Sequence, residues 1–371
     1  MDPCEVSWFA ALCDDDTSQL GVPGAALPSS WAHCCDIVLA AERGGFDNVL
    51  LPSGYALGID GVAFAGGIAA LTERIRLLVA VRCGELWVPQ LARQLATLDE
   101  MLAGRLTINI ISSELPGEQL DGGPRYRRTL ETMGALRSLL DGDRVDVDGQ
   151  FVRLHLDPPR VRTTSGHCPP MYFGGLSEDA REVAAASADV YLMWPDTFDA
   201  VAAVVDDMRA RADRHGRELR FGYRVHVVVR ETEDEARAAA AHLVAGLDDE
   251  TGARIRARSL DSTSVGVRRQ GELRDAADLD GFVEPNLWTG IGRARSGCGA
   301  AIVGDPDQVV AKLEAYRTLG IDAFILSGYP HLDECRRVAE LVLPRLDHAP
   351  LVHAPMVHAP LDRAGVRRAR H

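Results

Sequence analysis

The hydrophobic positions of this chain fall into eight short, near-continuous runs separated by longer stretches of helical period. The runs are 5–12 (EVSWFAAL), 48–53 (NVLLPS), 76–82 (RLLVAVR), 105–112 (RLTINIIS), 171–175 (MYFGG), 189–194 (DVYLMW), 220–229 (RFGYRVHVVV) and 323–329 (AFILSGY). Such runs suit strands buried on both faces, as in a parallel sheet. Segments 29–45, 62–73, 87–103, 124–141, 177–187, 197–216, 232–247 and 306–319, with another at 334–345, carry helical spacing. Eight β/α alternations predict an α/β fold, a TIM-type (β/α)8 barrel with insertions. A doubly wound open sheet is the alternative. Its usual Gly-rich turn after the first strand is replaced here by Cys13-Asp14-Asp15-Asp16, whose charge would repel a pyrophosphate.

Residues 1–347 thus read as a single barrel domain with two insertions. That at about 142–170 holds a small hairpin (DVDGQFVRLHL) and a Pro-rich approach to the fifth strand. That at about 248–304 is Arg-rich, then Gly-rich, and insertions of this length are more often functional than accidental. Residues 348–371 repeat HAP at a spacing of five and are expected to be a disordered tail.

A net charge of −14 excludes the basic footprint of a nucleic-acid partner. Lys312 is the one lysine among 40 basic residues, so a fixed cation here is a guanidinium, suited to bidentate anion binding. The eight cysteines form no C-x-x-C pair and no zinc spacing, so no metal site is expected and the thiols read as reduced. Met1 is followed by Asp2 and Glu5, with no basic leader, and no apolar run reaches the ~18 residues of a membrane span. A cytoplasmic location is expected.

Barrel chemistry sits at the C-terminal strand ends. These carry Trp8, Phe9 and Cys13; Ser53, Gly54 and Tyr55; Arg82 and Cys83; and Asn109, Ser112 and Ser113. They continue with Phe173, Gly174 and Gly175; Trp194; Arg224 and His226; and Ser327 through His331. Paired carboxylates, a metal cluster and a nucleophile elbow are missing from this rim, which disfavours glycoside hydrolysis, metal-assisted hydrolysis and Schiff-base chemistry. A flat aromatic cofactor bearing a phosphate fits better. Gly174-Gly175-Leu176-Ser177 follows a strand and opens a helix, whose free amides suit a phosphate, although such a pair of glycines also makes ordinary tight turns. Arg82 would serve the rim or pair with an interior carboxylate. Arg224 and His226 share one face of the seventh strand, where unpaired burial is costly.

Several longer stretches carry a resemblance. They are RQLATLDEMLAGR (93–105), PPMYFGGLSEDAREVAAASADVYLMW (169–194), RFGYRVHVVVRETEDEA (220–236), AHLVAGLDDET (241–251), PNLWTGIGRARSGCGAAIVGD (285–305) and GIDAFILSGYPHLDE (320–334). From about residue 7 to 345 the chain resembles the bacterial luciferase-like flavin monooxygenases, most closely the FMNH2-dependent alkanesulfonate monooxygenases. The resemblance implies a two-component enzyme. An NAD(P)H:FMN reductase supplies reduced FMN, O2 is consumed, and a sulfonate is cleaved to an aldehyde and sulfite.

By the same resemblance, Arg224 holds an anionic head or the peroxide, and His226 donates or accepts a proton. Trp194 walls the pocket, Tyr329 hydrogen-bonds within it, and Arg295 closes over substrate with the 250–285 segment as a lid. Ser177 and Tyr126, beside Gly174 and Gly175, are expected at the flavin phosphate, and Asn109 at its pyrimidine edge. A homo-oligomer, dimer or tetramer, is also implied. Cys13 stands where the sulfonate enzymes carry a histidine, and Tyr55-Ala56-Leu57 where they carry a cysteine. Cys13 and Tyr55 are therefore assigned to the substrate pocket. They leave open a luciferase-like monooxygenase of secondary metabolism with a non-sulfonate substrate. A deazaflavin-dependent dehydrogenase and a non-catalytic flavin-binding relative are the remaining readings.

Overall fold

Each of the eight apolar runs forms a strand. They are β1 (Glu5–Phe9), β2 (Asn48–Leu51), β3 (Arg76–Arg82), β4 (Leu106–Ile111), β5 (Met171–Phe173), β6 (Val190–Met193), β7 (Arg220–Val229) and β8 (Ala323–Ser327). With their helices they make a closed eight-stranded parallel barrel. The computed structural model describes residues 2–13, 16–55, 58–257 and 264–351. The helices are α1 (Trp31–Gly44), α2 (Gly61–Ile68), α3 (Val88–Met101), α4 (Gly122–Asp141), α5 (Glu178–Ser187), α6 (Phe198–Arg214) and α7 (Glu233–Val244). They continue with α8 (Asp249–Arg256), α9 (Val265–Asp275), α10 (Pro306–Thr318) and α11 (His331–Leu341). Among the described residues no helix is long and apolar enough to cross a membrane.

The chain divides into two compact units. The first comprises the described residues up to Asp60, Leu192–Asp206 and Phe221–Leu351. There β1 pairs in parallel with β2 and with β8, and β8 pairs with β7. The register sets Arg224 beside Ile325 and His226 beside Ser327. Alternation along β7 sends Tyr223 outward, where its ring stacks on Tyr316 of α10 at 4.5 Å. Arg224 and His226 face the other way.

The 248–304 insertion is built rather than looped. Ala301–Gly304 forms a strand parallel to β7 over His226–Val229, and Leu287–Trp288 pairs antiparallel to it. The Gly-rich run gave no periodic signal for this strand; the exposed edge of the long β7 supplies the pairing. Asp248 caps α8, Ser264 caps α9, and Thr232 and Asp305 make capping boxes with Glu235 and Gln308. Each satisfies helix amides that would otherwise lack partners, worth about 1 kcal/mol.

The start of the expected tail is pinned to this unit. His348 Nδ1 lies 2.9 Å from Asp47 Oδ2, and the Leu351 amide donates to Glu5 at 3.2 Å. Residues 352–371 lie outside the described residues.

The second unit comprises Gly61–Tyr191 and Asp207–Arg220. In it β3 pairs with β4, β4 with β5, and β5 with β6, all in parallel. The predicted hairpin is Val145–Asp148 against Arg153–Leu156. Its turn is held by the Glu131 carboxylate, which accepts from the amides of Gln150, Phe151 and Val152 at 3.1, 2.7 and 3.0 Å. A buried pair, Arg137 Nη2 to Asp189 Oδ2 at 2.8 Å, fixes the start of β5, because Asp189 also accepts from the Met171 amide at 2.7 Å. Arg82 pairs with Glu85 at 3.0 Å, an exposed carboxylate in the turn after β3 rather than an interior one.

Candidate active site

In the first unit the C-terminal ends of β1, β7 and β8 gather most of the expected catalytic residues. Arg224 is 5 % exposed and places its Cζ 4.2 Å from the centre of the Phe9 ring. Its Nε and Nη2 find no hydrogen-bond partner among the described residues. Arg295 approaches the same ring at 5.8 Å and donates from Nη1 to the Tyr329 hydroxyl at 2.7 Å. Two guanidiniums thus flank one aromatic ring.

His226 is fully buried and stacks on Tyr329 with ring centres 5.2 Å apart. Its Nδ1 lies 2.9 Å from Ser327 Oγ, a contact the β7–β8 register dictates. Burial first, then Arg224 and His331, hold the imidazole well below its usual pKa, so it is neutral near pH 7. Burial pushes the Tyr329 phenol up, against the pull of Arg295 and Arg224, so it keeps its proton. Cys298 lies behind Arg224, with Sγ 3.5 Å from the Arg224 carbonyl oxygen, and burial keeps its thiol protonated.

Trp194 follows β6 and is held by the insertion. A Cβ on Gly266 would lie 3.0 Å from its indole, and one on Gly297 3.2 Å, so both glycines let the backbone of the insertion close tightly on the ring. Arg269 of α9 grips Asp196 bidentately at 2.6 and 2.7 Å. Gln270 Nε2 donates to the Pro195 carbonyl at 2.7 Å, while its Oε1 accepts from the Gly299 amide. Much of the segment expected to form a loop lid is therefore two capped helices, of which α9 is tied to the strand end; residues 258–263 lie outside the described residues.

Three residues of this unit had no assigned role in the sequence. Asp16 is buried, its Oδ1 2.9 Å from His331 Nδ1 and its Oδ2 2.6 Å from His33 Nε2. The acidity after β1 is thus spent on two imidazoles, and Asp14 and Asp15 lie outside the described residues. The signal available was the SGYPHL stretch, which puts a histidine at a barrel-strand end. Cys13 is partly buried near Arg295 and Tyr329. Tyr55 is 69 % exposed, and among the described residues no hydrogen bond or ring contact joins it to the others. Ala56 and Leu57 lie outside the described residues.

The second unit holds the residues expected at the flavin phosphate. Gly175 has φ +153°, and a Cβ there would lie 2.7 Å from Ala180 Cβ and 3.7 Å from the Tyr126 hydroxyl. Its carbonyl accepts from Tyr191 at 2.7 Å. Ser177 caps α5, accepting from the Ala180 amide, so the helix N-terminus opens directly behind Gly174-Gly175. Asn109 is buried on β4. Among the described residues no group of three His, Cys, Asp or Glu side chains could hold a metal ion.

The luciferase-like monooxygenase family matches residues 5–323. The chain belongs to this family. It is a flavin-dependent monooxygenase. It is similar to the sulfoquinovose monooxygenase of Novosphingobium aromaticivorans, 62 % identical over 355 residues, covering 94 % of this chain and 98 % of that protein. It is also similar to the sulfoquinovose monooxygenase of Agrobacterium fabrum, 54 % identical over 352 residues, covering 93 % and 90 %. Among solved structures it shares its fold with a riboflavin lyase containing modified FMN and riboflavin, at a TM-score of 0.77 and 17 % identity, covering 95 % and 94 %.

The residues of this monooxygenase fit a flavin phosphate. Gly175 lets the turn close onto Ala180, where a Cβ would clash at 2.7 Å, and so brings its backbone directly to the amides of a helix N-terminus.

Proposed function

We propose that this monooxygenase uses reduced FMN, delivered by a separate NAD(P)H:FMN reductase, and O2 to cleave the carbon–sulfur bond of a sulfonated sugar. The substrate is sulfoquinovose or a close relative, and the products are an aldehyde and sulfite. This narrows the alkanesulfonate expectation toward the sulfosugar for which the two curated relatives are named. The enzyme works as a cytoplasmic homo-oligomer.

One observation carries the reading. Arg224 is a buried cation with two nitrogens lacking partners among the described residues, beside a second guanidinium. An uncompensated buried charge is costly, and the two nitrogens, Nε and Nη2, form one guanidinium edge that can meet two oxygens of a sulfonate. Arg224 and Arg295 would bind that head, with Phe9 beneath them replacing water. Tyr329, protonated and oriented by Arg295, would donate to an oxygen developing negative charge. Neutral His226 would hold or accept a proton at Nε2. Trp194, clamped by the insertion, would exclude water. Gly174, Gly175, Ser177 and Tyr126 would hold the flavin phosphate, and Asn109 the pyrimidine edge. The bound flavin supplies the activation of O2.

The test is direct. Purified protein with a flavin reductase, NADH, FMN and air should release sulfite from sulfoquinovose in step with O2 uptake. Unsubstituted alkanesulfonates should be turned over less efficiently. No sulfite from any sulfonate would reject the reading.

A further inference from the structure

His331 is fully buried, opens α11, and lies against Phe9 and Tyr329 with ring centres 5.3 and 4.9 Å away. These are the two rings that carry Arg224 and Arg295. Asp16 Oδ1 accepts from both its backbone amide and its Nδ1, each at 2.9 Å. Burial raises the Asp16 carboxyl, but the hydrogen bonds from His331 and His33 outweigh it, so Asp16 stays ionised. A carboxylate only accepts, which places the proton on Nδ1 and leaves the lone pair on Nε2. That Nε2 has no partner among the described residues. His226 differs, because its Nδ1 faces a hydroxyl that serves either tautomer.

We propose that His331 is a further catalytic residue, a base whose Nε2 takes a hydroxyl proton from the oxygenated substrate, with Asp16 as its positioning residue. The proposal rests on the sulfonate reading above. Monooxygenation at the carbon bearing sulfur leaves an α-hydroxysulfonate. His331 takes the hydroxyl proton, the O–H electron pair becomes the second carbon–oxygen bond, and the carbon–sulfur pair leaves with sulfur as sulfite. The step needs neither oxidant nor reductant.

The groups facing His331 agree with this role. Asp16 pulls its pKa up, with His33 behind that carboxylate. Burial, the larger effect, and Arg295 and Arg224 push it down. His226 on β7 and protonated Tyr329 complete the surroundings, while Glu334 of its own helix is spent on Arg230 and Arg337. The ring is therefore neutral and ready to accept a proton near pH 7.

The experiment uses hydroxymethanesulfonate, the simplest α-hydroxysulfonate, with flavin-free protein under nitrogen, and follows sulfite by a thiol-reactive dye. The wild type should accelerate release at least about tenfold over buffer, given that a positioned base contributes about 100- to 10,000-fold with a full substrate. His331→Ala should lose that acceleration, and added imidazole should restore it in proportion to its free-base form. Asp16→Asn should lower the plateau and move the acid limb to lower pH, because the carboxylate that raises the His331 pKa is gone. If the wild type is no faster than His331→Ala, or imidazole restores nothing, the assignment is overturned. Should His331→Ala fail to fold, an unmoved acid limb in Asp16→Asn overturns it equally. Flavin and O2 are left out, so failure of the sulfoquinovose assay beside success here would reject the proposed function alone.

Discussion

Arg224 lies face-on above Phe9, its guanidinium carbon 4.2 Å from the ring centre. The aromatic face takes the place of hydrating water on one side of the cation and leaves its edge nitrogens for an anion. A lysine would keep the charge but lose both the stacking and the planar fork. Arg224→Lys should lower kcat/KM for sulfoquinovose by about 10- to 100-fold, about 1.4–2.7 kcal/mol, mostly through KM. Steady-state sulfite release reads it, and an unchanged KM would show that the sulfonate binds elsewhere.

The proposed phosphate cradle gives a second test. Gly175→Ala puts a Cβ 2.7 Å from Ala180 Cβ at φ +153°. FMN affinity should weaken on the order of tenfold, about 1.4 kcal/mol, as measured by quenching of flavin fluorescence. Wild-type affinity in this variant would move the phosphate away from this turn.

Steric fit and the Arg269–Asp196 ion pair tie α9 of the insertion to the end of β6. Gly266→Val should drive α9 off Trp194, costing about 1–3 kcal/mol of stability by thermal unfolding and shifting tryptophan emission. Arg269→Ala removes a partly exposed pair worth at most about 1 kcal/mol, so the melting temperature should barely change. Limited proteolysis of 248–299 should nevertheless accelerate if the Asp196 grip holds the segment.

Histidines with opposite shifts give opposite pH dependences. The Asp47 hydrogen bond holds His348 above its ordinary value. Its contribution is fully present below the unfolded value of about 6.5 and is lost as pH rises through the raised folded value. His348→Gln should therefore melt lower than wild type near about pH 6 and converge with it at alkaline pH, a difference under about 1 kcal/mol. Burial holds His226 and His331 low, so the unfolded chain takes up protons first as pH falls below about 6.5. His226→Gln should flatten that acid loss by about one proton, measured as the slope of unfolding free energy against pH.

The sequence by itself determined the barrel. Strands buried on both faces must be apolar throughout, which made the eight runs legible, and the missing Gly-rich turn after the first run favoured closure over an open sheet. Alternation alone put Arg224 and His226 on one face of β7, and the glycines before α5 announced a close approach. The tertiary structure decided the partners. Ala301–Gly304 became a strand because β7 runs on beyond its neighbours and offers an edge, which no local pattern encodes. Tyr55, placed in the pocket by resemblance, is exposed, since chain position does not fix the direction of a loop side chain. In the sequence Asp16 was one of three aspartates whose charge would repel a pyrophosphate. Folding brings it against His331, 315 residues away, where the same charge fixes one imidazole proton. Burial and pairing at that distance set the chemistry of Asp16, and only the closed chain supplies them.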